Sequence, residues 1–365
     1  MQNYINFVLG TLFLSISLTF SSHAPAAQSI IIEGGEITIE DGHINPQDYT
    51  GTASGVIFTA HDGEMVIIDE YEAIKGDDVD IKSLTLTGIQ IVASDELTLI
   101  DQFTAQDLII NHMLFSGKNF KLIVDPQNIL TIDQILMEGA GNYATEISDD
   151  MPENISLQIA GMRYTPHPSD TATRNALKET LGVENINADL LVEANGEAMD
   201  DRVNINSSFN LSLEDVGAVN FAIDFGMFYE GIAKLFSQSL FATDNDYDEI
   251  AETLMETLLL NSASLQLNDD GMVEVGLTKF AQEQGISRDN AVPYIMDRLA
   301  QIGPDVAPKI YSALQLPLQH FLERGGQFSI NLTPDEPAPA STLFMLMMMP
   351  DMIVSSLGLS ITHQP

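Results

Sequence analysis

The sequence predicts an α+β protein: an elongated antiparallel β region of repeated strand units over 27–165, then a mixed β/helical domain over 166–365. Three observations carry this reading. Short β-branched runs bounded by Gly, Asp and Asn fill the first part, helical apolar periods dominate only after Gly226, and one apolar spacing recurs through the β-rich stretch.

The recurring spacing steps by two, three and two. It occurs at Leu84, Leu86, Ile89, Ile91; at Leu108, Ile110, Met113, Phe115; at Leu130, Ile132, Ile135, Met137; and at Leu157, Ile159, Met162, Tyr164. It returns at Leu211, Leu213, Val216, Ala218. A step of two keeps both residues on one face of a strand. The step of three fits either a two-residue hairpin, as at Thr87-Gly88, or a β-bulge that restores the face. β units repeated at this interval suggest a sheet elongated by repetition.

The second part mixes elements. Asp170 or Thr171 caps a short helix over 171–180 that stops at Gly182. Strands follow at 186–194, 203–213 and 219–225. Phe228, Ile232, Leu235, Phe236 and Leu240 then mark one helical stripe, and Ile250, Leu254 and Leu258 another. A hairpin is expected over 263–267 and 272–277, turning at Asn268-Asp269-Asp270-Gly271. Helices are expected near 278–284, 288–302 and 305–323, with Pro293, Pro308 and Pro317 imposing early-turn placement, kinks or breaks. A strand at 327–332, an apolar segment at 343–349 and a strand at 357–362 complete the chain.

Residues 7–20 form an apolar run, followed by Ser21-Ser22-His23 and Ala24-Pro25-Ala26. This layout matches a secretory signal peptide over 1–26, cut after Ala26. The competing reading is a retained anchor, for which about 14 residues are short against the roughly 20 that span a bilayer. The mature chain is expected in the periplasm, or alternatively outside the cell or at its surface, with no transmembrane helix. The absence of Cys suits an oxidising compartment and excludes disulfides, thiolate metal sites and thiol nucleophiles.

The chain carries 53 Asp+Glu against 14 Lys+Arg, which argues against nucleic-acid binding because phosphate contacts need clustered cations. The charge is even, with 24 acids and 4 bases over 27–160 and 29 and 10 over 161–365. That describes a uniformly acidic solvated surface; collection of divalent cations is the functional alternative. No HExxH, G-x-S-x-G, G-x-G-x-x-G or P-loop pattern occurs. No cofactor is expected. The sharpest polar cluster is Asp244, Asp246 and Asp248, whose alternation suits a calcium loop. The EF-hand template fails there, at Glu249 in place of Gly and Met255 in place of Glu, and the plain reading is an acidic helix start. Met345, Met347, Met348, Met349 and Met352 read as core filling, with an adaptable apolar lining as the alternative.

Several stretches together resemble a known type: SLTLTGIQI at 83–91, ISLQIAGMRY at 155–164, ALKETLGVENINADL at 176–190, NLSLEDVGAVNFAIDF at 210–225, LNDDGMVE at 267–274 and HFLERGGQFSINLTP at 320–334. They are similar to a loose group of uncharacterised exported proteins of Gram-negative bacteria, with β-rich repeats like those of AsmA-like envelope proteins. That resemblance implies a long curved sheet with an apolar trough, tied to envelope lipid homeostasis, and it transfers no functional residue.

The leading expectation is therefore a non-enzymatic exported protein whose partner is a lipid or an envelope protein. An acyl chain would lie in a trough lined by strand residues such as Leu84, Leu86, Leu108 and Ile110. The alternatives are a structural or adhesive protein using its sheet surface, and an acidic hydrolase whose carboxylates no motif reveals.

Overall fold

A computed structural model describes residues 28–32, 35–45, 48, 50–60, 64–93, 96–110, 114–124, 129–139, 154–231, 234, 253–342 and 349–365. The expected signal peptide, the Asp244, Asp246 and Asp248 cluster, most of the helical stripes between Ile232 and Ile250, and Met345, Met347 and Met348 lie outside the described residues. The chain divides into two compact units, one within 1–148, 157–174 and 185–187, the other within 149–156, 175–184 and 188–365.

The first unit is a meander. Its strands are β1 (Gln28–Ile32), β2 (Gly35–Ile44), β3 (Gly51–Ala60), β4 (Met65–Lys75), β5 (Ile81–Ala93), β6 (Glu96–Ile110), β7 (Leu114–Ile123), β8 (Ile129–Glu138) and β9 (Asn154–Thr165). They lie side by side in chain order, and each neighbouring pair from β1–β2 to β7–β8 is antiparallel. One face is apolar along whole cross-strand rows, for example Ile39, Val56, Ile68, Ile89, Ile100 and Ile44, Gly51, Ala73, Leu84, Ala105. The other face carries Thr52, Glu72, Thr85 and Thr104 in one such row.

A crease crosses this sheet. Glu40, Gly55, Asp69, Gly88 and Asp101 stand opposite one another between the paired rows on either side. Gly55 and Gly88 adopt φ of 60° and 63°, a left-handed backbone that suits glycine. The Asp69 carboxylate fills the space a β-carbon on Gly88 would need, and Glu40 does the same at Gly55. Because each of β2 to β6 contributes one extra residue at the same level, the register survives while the apolar face advances by three. That is the physical origin of the steps Ala53 to Val56, Ile68 to Tyr71, Leu86 to Ile89 and Ile100 to Phe103. On β9, Gly161 (φ 63°) repeats the device against Asp133 of β8, and the Arg163 guanidinium sits 2.6 Å from that carboxylate.

The bulge reading of the step of three therefore occurs, and no described set places it at a two-residue hairpin. In β5, β8 and β9 the step falls inside one strand, so Thr87-Gly88 is not the hairpin turn it resembled. The sets at Leu108 and Leu211 instead straddle the ends of two successive strands.

Past α1 (Thr171–Leu181), the second unit holds β10 (Ile186–Ala198), β11 (Arg202–Leu213), β12 (Gly217–Phe228), β13 (Leu258–Asp269), β14 (Gly326–Leu332) and β16 (Ser360–Gln364), adjacent in that order. The two-residue β15 (Ala338–Pro339) joins β13. Its rows alternate cleanly. Val192, Phe209, Phe221, Leu265, Ile330 and Ile361 form an apolar row, and the next brings Asn210, Asn220, Gln266 and Ser329 to the opposite face.

Helices cover part of the apolar face. They are α2 (Met272–Gln284), α3 (Ala291–Val306), α4 (Pro308–Arg324) and α5 (Met352–Ser356). α4 packs on β14 and β16, with Phe321 and Phe328 ring centroids 5.4 Å apart. Ile353 and Leu357 pack on Leu260 and Ala338.

Four expectations need correction. Residues 272–277 are the start of α2, not a strand: Asp269 Oδ1 accepts from the N–H groups of Gly271 (3.1 Å) and Val273 (2.8 Å), and Val273, Leu277 and Ala281 then recur at helical spacing. The last long helix begins at Pro308 rather than Asp305, because Pro308 occupies the first turn and Asp305 belongs to the end of α3. The last strand starts at Ser360, since Gly358 turns the chain at φ 59°. Leu258 opens β13 instead of closing a helical stripe.

Candidate ligand-binding site

The four expected lining residues lie on neighbouring strands. Leu84 and Leu86 are two apart on β5, and Leu108 and Ile110 two apart on β6, so each pair shares a face. Leu84 stands across from Ala105, Leu86 from Phe103 and Leu108 from Ile81. The pairs meet through aromatic rings: Phe103 lies 6.3 Å from Phe120, and Phe120 lies 6.4 Å from Phe115, the partner of Ile110. Asp107, at φ 51°, provides the local bulge that returns Leu108 to the apolar side.

Burial separates the four. Leu108 is 1% exposed, lies against Phe120 and Gly117, and is core. Leu84 at 7% is also core. Leu86 and Ile110 are half-buried, as are Phe58, Ile68, Tyr71, Leu122, Leu130 and Ile132 on the same face. An apolar face with buried residues beside half-buried ones thus runs across β3 to β8.

The sequence signal for Tyr71 and Phe103 was present and unused, because both follow the same step of three from Ile68 and Ile100. Phe115 closes the set that begins at Leu108, whereas Phe120 carries no such mark; its place on this face depends on the β6–β7 register shifts.

Charges rim this face without entering it. Lys82 Nζ is 2.6 Å from Asp107 Oδ1, an ion pair that holds the Asp107 carboxyl below and the Lys82 ammonium above their ordinary ranges. Lys75 bonds Asp48 at 2.7 Å, and together with the Thr50 hydroxyl it lowers the Asp48 carboxyl to about 2. The Ile110 N–H donates to Asp80 Oδ2 at 2.6 Å, pinning the end of β6. Among the described residues, no group of three or more His, Asp or Glu could hold a metal ion, and no helix is long and apolar enough to cross a membrane.

Comparison with known proteins places one portion of the chain. Residues 210–364 match a family model described as an uncharacterized protein. That stretch begins within β11 and takes in β12 to β16 with α2 to α5, and it includes none of the four lining residues. No curated protein matches the chain.

Proposed function

We propose that this is an exported, non-enzymatic protein that binds an acyl chain or similar apolar ligand along the creased face of the first unit. The observation that carries the reading is an apolar face continuous over β3 to β8, on which Tyr71, Leu86 and Ile110 are only half-buried. A face meant only as core is closed by a packed layer. One left partly open offers a methylene chain about 0.8 kcal/mol of transfer free energy per CH2 buried. The crease favours this role, since bulges and glycine kinks repeated across strands curve a sheet. The signal-peptide pattern and the absence of Cys support delivery to the periplasm.

The second reading is a protein-contact surface. It draws on a different row, where Ile57 and Ile67 stand opposite each other on the other, polar face, with Gln90 between Ile67 and Leu99, which is 57% exposed.

Native mass spectrometry of the full chain, purified gently from an envelope fraction and followed by organic extraction, tests the proposal. Adducts of lipid mass, reduced by Leu86→Asp with circular dichroism unchanged, are expected. A clean apo mass, with association through a surface that Leu99→Asp abolishes, would replace it with the second reading.

A further inference from the structure

The end of α4 meets the sheet through two imidazole rings. His320, near the end of α4, lies edge-on to His363 of β16, with ring centroids 5.8 Å apart at 66°. His363 Nε2 is 2.8 Å from the Gly325 carbonyl oxygen, which can only accept, so Nε2 carries the hydrogen. Gly325 caps α4, its own N–H donating to the Phe321 carbonyl at 2.8 Å. Phe321 adjoins His320 and packs on Phe328, and Phe328 is the register partner of His363. Both histidines are half-buried, whereas the two phenylalanines beside them are core.

The charges around the pair are few. β14, β16 and α5 contain no Asp, Glu, Lys or Arg. On α4, Glu323 and Arg324 follow His320 by three and four residues and offset one another. Lys309 and Tyr311 lie at its other end, where Asp351 accepts from the Lys309 N–H. α3 carries Tyr294, Asp297, Arg298 and Asp305, with Arg298 held on Tyr294. α2, which reaches α4 through Leu322, carries Glu274, Lys279 and Glu283. From β13, the Asp269 carboxylate stands beside Gly325. Asp269 and the carbonyl at the end of α4 favour one positive charge, on His363. A second, on His320, faces the first across 5.8 Å in a half-buried contact, where like charges repel.

We infer that His320 and His363 form a proton-sensitive latch: neutral, they hold the end of α4 against β16, and doubly protonated they push it away and open the seam between Phe321 and Phe328. The closed pair binds fewer protons than the released one, so the contact is complete above about pH 7 and weakens as pH falls through about 6. The latch belongs to the second unit alone and is independent of the acyl-chain proposal.

Hydrogen exchange of the full chain, corrected for the intrinsic rate and read at the end of α4, tests the latch. Measurement at about pH 7.5 and about pH 5 crosses the ordinary range of an imidazole, about 6.5, and stays above that of carboxylates, about 4. Protection at the end of α4 should fall about tenfold at the lower pH, while β11 and β12 keep theirs. His320→Phe leaves a ring at the contact that cannot be charged, and should hold protection within about twofold. His363→Gln keeps a donor for the Gly325 carbonyl and should do the same. Equal protection at both pH values in the unaltered chain overturns the inference. So does a loss that persists in either folded variant, because another group would then be titrating. A loss spread equally over β11 and β12 also overturns it, since the whole unit would then be opening.

Discussion

The two units start from one pattern and finish it differently. Each is an antiparallel meander with an apolar face and a polar face. In the second unit strict alternation persists along β11 and β12, and α4 and α5 cover part of the apolar face. In the first unit a line of glycines and acids shifts the alternation by one residue in strand after strand. The contrast teaches that one strand pattern can be finished by adding a helical layer or by shifting its alternation at a line of glycines and acids.

The comparison breaks most visibly at the two cores. Leu108→Asp buries a charge beside Phe120 and should cost about 4 kcal/mol or more, seen as loss of the first unit's thermal transition. Phe321→Ala should cost about 3–4 kcal/mol in the second unit alone, since Phe321 is 5% exposed and fills the seam between α4 and Phe328. Two separate calorimetric transitions, each moved by its own variant, are the expected record.

Gly88→Ala sharpens the crease itself. It forces a side chain onto φ 63° and into the Asp69 carboxylate, at about 1–3 kcal/mol by chemical denaturation. Gly276→Ala, in α2 with open space around it, should be neutral or slightly stabilising.

The smallest effect is electrostatic. Asp48 is held at about 2 by Lys75 and Thr50, below its unfolded value of 3.8. Its contribution is present above that unfolded value and is lost as pH falls towards 2. Asp48→Asn should lower the melting temperature by about 1–2 °C at pH 7, and the difference should fade below pH 4.

Much of the fold was legible because hydrophobic spacing is local. The helix at Thr171–Leu181 follows from Asp170, whose carboxylate accepts from the Thr173 N–H at 3.0 Å, and from Gly182 at φ 78°. The step of three was legible as a number but not as a shape, because a bulge and a hairpin leave the same spacing. What separates them is Asp69 standing opposite Gly88, a cross-strand fact. Met272 to Leu277 alternates like a strand, and only the capping by Asp269 and the later apolar residues at Leu277 and Ala281 make it a helix. Of the four lining residues, the face they share was legible. Their burial was not, because Leu108 owes its depth to Phe120 on a different strand.

The most direct measurement compares fatty-acid binding by Leu86→Asp, in the creased first unit, with binding by Phe221→Asp, 41% exposed on the apolar face of the second. With both variants folded by circular dichroism, the account predicts that Leu86→Asp weakens binding at least tenfold while Phe221→Asp leaves it within twofold. Binding lost through Phe221 and kept through Leu86 would place the ligand on the helix-covered sheet and contradict it.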